Sequence, residues 1–125
     1  MLDARRRYQP PTTKAQSWSS IEAHYNDLNS YGWEISPLIE LVQHIKTTKL
    51  SERLFAYTSM GKLIISIYDE IEWNREALHI ELNRPIPSWD FRYFSKPNEP
   101  SEFERRYSTD LGIKKFDGFI RMIRW

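Results

Sequence analysis

Residues 76–94, EALHIELNRPIPSWDFRYF, decide the fold. Leu78, Ile80 and Leu82 alternate with His79, Glu81 and Asn83, and the alternation resumes after Arg84-Pro85-Ile86-Pro87 with Trp89, Phe91 and Tyr93. A period of two marks strands, because successive side chains of a strand point to opposite faces. The proline-rich stretch between the runs suits a chain reversal. Folding the runs about that turn sets Leu82 opposite Trp89, Ile80 opposite Phe91 and Leu78 opposite Tyr93, one apolar face shared by two antiparallel strands. His79, Glu81, Asp90 and Arg92 then occupy the opposite face.

The same period continues upstream. Residues 53–59, 62–68, 76–83 and 88–94 read as a four-stranded antiparallel meander with short connections. Matching Leu63, Ile65 and Ile67 to the apolar face leaves Ile64, Ser66 and Tyr68 on the outer one, so the sheet is expected to be wet on one side. Met60-Gly61 admits either a two-residue or a bulged loop, and the two exchange Leu54, Ala56 and Thr58 with Phe55 and Tyr57. Residues 95–107 read as a loop in which Phe103 to Tyr107 is either a short edge strand or irregular.

On both sides of the sheet the period changes to that of a helix. Ser19-Ser20-Ile21-Glu22 has the form of a capping box, with Ile21, Tyr25 and Leu28 on one stripe and Gly32 as a stop. Ser36-Pro37 starts a second helix, whose stripe is Leu38, Leu41, Val42 and Ile45. The last segment is capped by Ser108, Thr109 or Asp110 and buries Ile113, Phe116, Ile120 and Ile123, with Lys114, Asp117, Arg121 and Arg124 on another face. Gly112 and Gly118 each weaken it by about 1 kcal/mol relative to alanine. The expected fold is therefore α+β: two N-terminal helices, a four-stranded meander and a C-terminal helix, with the helices on one sheet face. Residues 1–16, with Arg5-Arg6-Arg7 before Pro10-Pro11, read as a flexible basic arm, and 17–125 as one domain.

Composition bounds the function. The chain has 125 residues, 18 Lys+Arg against 17 Asp+Glu, 14% aromatic residues and no cysteine. One folded domain is expected, without disulfides or thiolate chemistry. A net charge of +1 gives no bulk attraction to nucleic acid or to anionic membrane. The N-terminus lacks the apolar run of a secretory signal, and no stretch approaches the roughly 20 apolar residues of a membrane helix, so a cytoplasmic location is expected.

Catalytic templates do not match. There is no G-x-S-x-G elbow, and the four glycines are scattered rather than gathered into a phosphate cradle. His24, His44 and His79 form neither an H-x-H nor an H-E-x-x-H pair, so neither a metal nor a cofactor is expected.

Two constellations remain. Asp69, Glu70, Glu72 and Glu76 surround Trp73 in the connection before residue 77, with Arg75 as the one base. A tryptophan among carboxylates supplies an apolar anchor and steers a basic partner, although such a loop is also a common solvated turn. The second is the outer face around His79, with Glu81, Arg92 and Tyr68, where a histidine beside a carboxylate serves as acid, base or anion contact. The competing structural reading is a cross-strand polar pair. These features favour a protein-binding module of the inhibitor or immunity type, acting through the acidic loop. One alternative is a small-molecule binder or enzyme at His79 and Arg92. The other is a nucleic-acid accessory protein using the arginine arm with Lys114, Lys115, Arg121 and Arg124. Exposed Ile64, Tyr68 and Phe94 would equally suit a homodimer interface.

Overall fold

The computed structural model describes residues 12–59, 61–72, 76–83, 85–95 and 99–125. Its elements run β1 (Thr12–Lys14), α1 (Trp18–Ser30), α2 (Ser36–Lys46), a 3-10 turn (Lys49–Glu52), β2 (Phe55–Ser59), β3 (Lys62–Ser66), β4 (Glu70–Glu72), β5 (Ala77–Asn83), β6 (Ser88–Phe94), β7 (Phe103–Ser108), a 3-10 turn (Thr109–Leu111) and α3 (Gly112–Ile123). β5 and β6 pair as the alternation requires: Leu82 with Trp89, Ile80 with Phe91 and Leu78 with Tyr93. The antiparallel sheet has the order β2-β3-β5-β6-β7, and β1 and β4 form a separate two-stranded ladder. The architecture is α+β.

It has a fifth sheet strand where four were expected. β7 pairs Phe103 with Tyr93 and Tyr107 with Trp89, so the aromatics of residues 103–107 continue the apolar face across the sheet. Ring pairs stitch this edge to its neighbours: Phe91 meets Tyr107 edge-on at 5.4 Å, and Phe103 meets Phe119 of α3 at 4.9 Å. Residues 12–16, assigned to the arm by sequence, are hydrogen-bonded in the structure. Thr12–Lys14 pair with β4, and the Gln16 amide donates to the Ala56 carbonyl of β2 at 2.8 Å. The basic stretch Arg5-Arg6-Arg7 lies outside the described residues.

One core joins the sheet to all three helices. It contains Ile21 and Tyr25 of α1, Leu38, Leu41, Val42 and Ile45 of α2, Phe116, Phe119 and Ile120 of α3, and the inward row of the sheet including Leu63, Ile65, Leu78, Ile80, Trp89 and Phe91. The first hairpin resolves to a two-residue loop, with Ser59 opposite Lys62 and Gly61 at φ 88°. This turns Leu54 and Ala56 inward.

Several details depart from the periodic reading. α1 is capped two residues earlier than the capping box implies, by Ser17, whose Oγ accepts the Ser20 amide at 3.0 Å. Glu22 is thereby free of capping and accepts from Lys46 Nζ at 2.8 Å and Gln43 Nε2 at 2.9 Å, tying α1 to α2. α2 begins at Ser36 with Ile35 at the cap position and no side-chain cap bond; the Ile35 amide instead donates to Asn29 Oδ1 at 2.9 Å. Ile67 follows the end of β3 and is exposed rather than buried. Ile64 and Ser66, expected outside, are buried, because Ile64 packs with Ala77 and Tyr57 into a second small cluster and Ser66 Oγ donates to the Glu76 carbonyl at 3.2 Å. Among the described residues, no helix is long and apolar enough to cross a membrane.

Candidate functional site

The outer face is built from rows set by the strand register. Tyr57, Ile64, His79, Arg92 and Glu104 lie in one row across all five strands. Glu81 and Asp90 pair in the next row and Asp90 continues to Arg106 of β7. Thus His79, Glu81 and Arg92 are brought together as expected. With Lys62, Asp90 and Phe94 they line an open depression of about 240 Å³.

Its electrostatics differ from the reading in which a carboxylate tunes His79. Burial against the sheet, then the positive charges of Lys62 and Arg92, push its pKa down to about 4. The ring is therefore neutral at pH 7, and it packs on Phe94 with centroids 4.8 Å apart. The neighbouring charges are engaged sideways: Arg106 Nε donates to Asp90 Oδ1 at 2.9 Å, and Arg92 Nε lies 3.4 Å from Glu104 Oε1. Among the described residues, His79 has no hydrogen bond to a carboxylate, and no group of three His, Asp or Glu is arranged to hold a metal ion. The face therefore offers a neutral ring acceptor and an aromatic floor. It lacks an assembled acid–base couple.

Tyr68 belongs elsewhere. Its hydroxyl donates to Glu76 Oε1 at 2.5 Å, and its amide donates to Ser66 Oγ at 3.4 Å. It thus joins the acidic segment, where Asp69 and Glu70 are exposed and Glu76 is half-buried. Glu70 to Glu72 form β4, with Lys14 opposite Glu70. Trp73, the expected anchor, lies outside the described residues.

The meander adds a group that the sequence reading passed over. In an antiparallel sheet the connection from β3 to β5 and the connection from β6 to β7 emerge at the same end. Exposed Glu99 and Glu102 therefore join Asp69, Glu70 and Glu76 there. Between them stands Tyr93, 9% exposed, whose hydroxyl pKa is raised by burial first and then by the charges of Glu76 and Glu102. The recoverable signal was the alternation Glu102-Phe103-Glu104 before Arg105-Arg106-Tyr107, which reads as an edge strand once its aromatics are matched to Phe91 and Tyr93. His44 of α2 bonds Asp117 of α3 through Nε2 at 2.8 Å. His24 stacks at a tilt on Tyr25, centroids 5.6 Å apart.

The chain matches no protein-family model, no curated protein and no solved structure. Function must be read from these surfaces.

Proposed function

We propose that this domain is a cytoplasmic protein-binding module of the inhibitor or immunity type, which engages a partner carrying a basic surface through the acidic end of its sheet. The observation that carries the reading is that the strand topology brings acidic residues distant in sequence, Asp69, Glu70 and Glu76 with Glu99 and Glu102, to that one end. Convergent like charge costs folding energy through self-repulsion, and it raises the association rate of an oppositely charged partner. The alternative at His79 has less support. Its depression of about 240 Å³ is open, whereas pockets that bury a small ligand usually span about 300–1,000 Å³.

The test is affinity capture with the wild-type chain and a charge-reversed variant, Glu70→Lys with Glu76→Lys and Glu99→Lys, in the presence of nuclease. The expected result is a stoichiometric protein partner with a basic surface, retained at low salt, weakened as salt rises, and lost in the variant. Retention of the same partner by the charge-reversed chain refutes the reading.

A further inference from the structure

The two edges of the five-stranded sheet end differently. At the β2 edge the Gln16 amide donates to the Ala56 carbonyl at 2.8 Å, and Gln16 Oε1 accepts the Thr58 amide at 3.2 Å, so the chain covers that edge itself. At the opposite edge, among the described residues, no strand lies beyond β7. The ladder decides which main-chain groups of β7 point outward. The Tyr93 carbonyl faces β7, where it accepts the Glu102 amide at 2.9 Å. Main-chain groups alternate sides along a strand, so Phe91 and Trp89 also face β7 and bond their partners Arg105 and Tyr107. Glu104 and Arg106 therefore turn their amides and carbonyls away from β6. In agreement, the Glu104 carbonyl is reached by Arg105 Nη1 of its own strand at 2.8 Å. Among the described residues, the amides of Glu104 and Arg106 have no main-chain acceptor.

The sequence of this open edge, Phe103-Glu104-Arg105-Arg106-Tyr107, complements itself. When it pairs antiparallel with a second copy about Arg105, Glu104 of each copy meets Arg106 of the other, and the two exchange both main-chain bonds across the seam. On the inner face the same register sets Phe103 of each copy opposite Tyr107 of the other. Both rings are half-buried at this edge, whereas Trp89 and Phe91, one strand further in, are buried. Moving the two-fold centre to Glu104 or to Arg106 would set like charges against each other at a bonded position. The register about Arg105 has one opposing contact, Arg105 against its own counterpart. That guanidinium is exposed, where salt screens it, and it lies over the Phe103 ring of its own strand at 4.8 Å. Charged edges discourage pairing with arbitrary strands. Here the charges are placed so that the matching strand is another β7. The outer sheet face suits a second copy less well, because Ile64 is already buried there within its own chain.

We propose that the chain forms a two-fold dimer in which β7 pairs with β7 of a second copy, joining two five-stranded sheets into one continuous sheet. The proposal does not depend on the partner reading of the acidic end. Because the two β7 strands run antiparallel, the acidic ends of the two copies lie at opposite ends of the joined sheet.

The experiment is sedimentation velocity of the intact chain across a range of concentrations, with hydrogen–deuterium exchange resolved to single residues by mass spectrometry in dilute and concentrated samples. The expected result is a reversible monomer–dimer equilibrium in which the amides of Glu104 and Arg106 exchange freely when dilute and become protected as the dimer forms. The amides of Arg105 and Tyr107, bonded to β6, should be protected in both samples. Glu104→Lys sets a lysine against Arg106 at both symmetry-related positions and should weaken the dimer by at least about tenfold. Arg106→Pro removes an outward amide and should leave a folded monomer, since proline is tolerated where an edge N–H faces solvent. Arg105→Thr removes the repulsive central pair and should tighten the dimer several-fold. A monomer at every concentration overturns the proposal. A dimer indifferent to both Glu104→Lys and Arg106→Pro overturns it by locating the contact on another surface. Protection of the Glu104 and Arg106 amides that does not change with concentration also overturns it, because the edge is then covered by the chain's own residues.

Discussion

Alanine placed at each of the two glycines of α3 should have opposite effects. At Gly112, an added Cβ would stand 2.3 Å from Trp89 Nε1, 2.5 Å from Cε2 and 2.9 Å from Cζ2. The indole cannot easily withdraw, because Trp89 is 1% exposed and its Nε1 donates to the Thr109 carbonyl at 3.0 Å. Helix propensity favours alanine by up to about 1 kcal/mol. Overpacking costs about 1–3 kcal/mol, and a buried indole N–H pushed off its acceptor costs about 1–3 kcal/mol more. The balance for Gly112→Ala is a loss of about 3 kcal/mol, a fall in Tm of about 9–15 °C for a domain of this size. At Gly118 nothing lies within 4 Å of the added Cβ. Gly118→Ala therefore keeps the propensity gain and should raise Tm by about 3–5 °C. Urea and thermal unfolding followed by circular dichroism measure both. If both substitutions stabilise, the contact between Trp89 and the start of α3 does not constrain residue 112.

The other expectations concern charge and contact. Since the folded-state pKa of His79 is about 4, below its ordinary 6.5, the unfolded chain takes up that proton first as pH falls. Its contribution to stability is complete above about pH 6.5 and is lost between there and pH 4, at no more than about 1.4 kcal/mol per pH unit, so His79→Gln should flatten that limb of a stability–pH curve. An unchanged slope in the variant would remove His79 from the account. His44 and Asp117 join α2 to α3, and a double-mutant cycle of His44→Ala with Asp117→Ala should return a coupling of about 1 kcal/mol in urea unfolding; additivity would show the bond contributes nothing. Trp73→Ala with Glu70→Lys should abolish partner capture with Tm nearly unchanged, and retained capture would exclude the 69–76 loop from the interface.

Much of the architecture was legible because it depends on local period. The register of β5 on β6 followed from matching two alternating runs across a turn, since slipping by one residue would turn Trp89, Phe91 and Tyr93 to the wrong face. The stripes of α1 and α2 were equally readable. The caps were less so, because Ser17, Ser19 and Ser36 are chemically equivalent candidates, and only the path of the chain selects Ser17 for α1 and leaves α2 without a side-chain cap. β7 stayed ambiguous because its charged alternation Glu104-Arg105-Arg106 carries almost no apolar signal of its own; pairing with β6 supplies it.

Of the candidate sites, the sequence placed His79, Glu81 and Arg92 on one face correctly, because alternation fixes which side chains share a side. It assigned Tyr68 to that face, but β3 ends at Ser66, and the chain beyond it delivers the Tyr68 hydroxyl to Glu76.

By itself, then, the sequence determined the helical and strand periods, the central hairpin register and the absence of cysteine chemistry, all properties of neighbours in the chain. The tertiary structure alone decided that Gly112 must lack a side chain, that burial, with Lys62 and Arg92 nearby, keeps His79 neutral, and that Glu76 and Glu102 both act on Tyr93. Each of these is a contact between segments far apart along the chain. Packing distance and the sum of nearby charges set such contacts, and no local pattern encodes either.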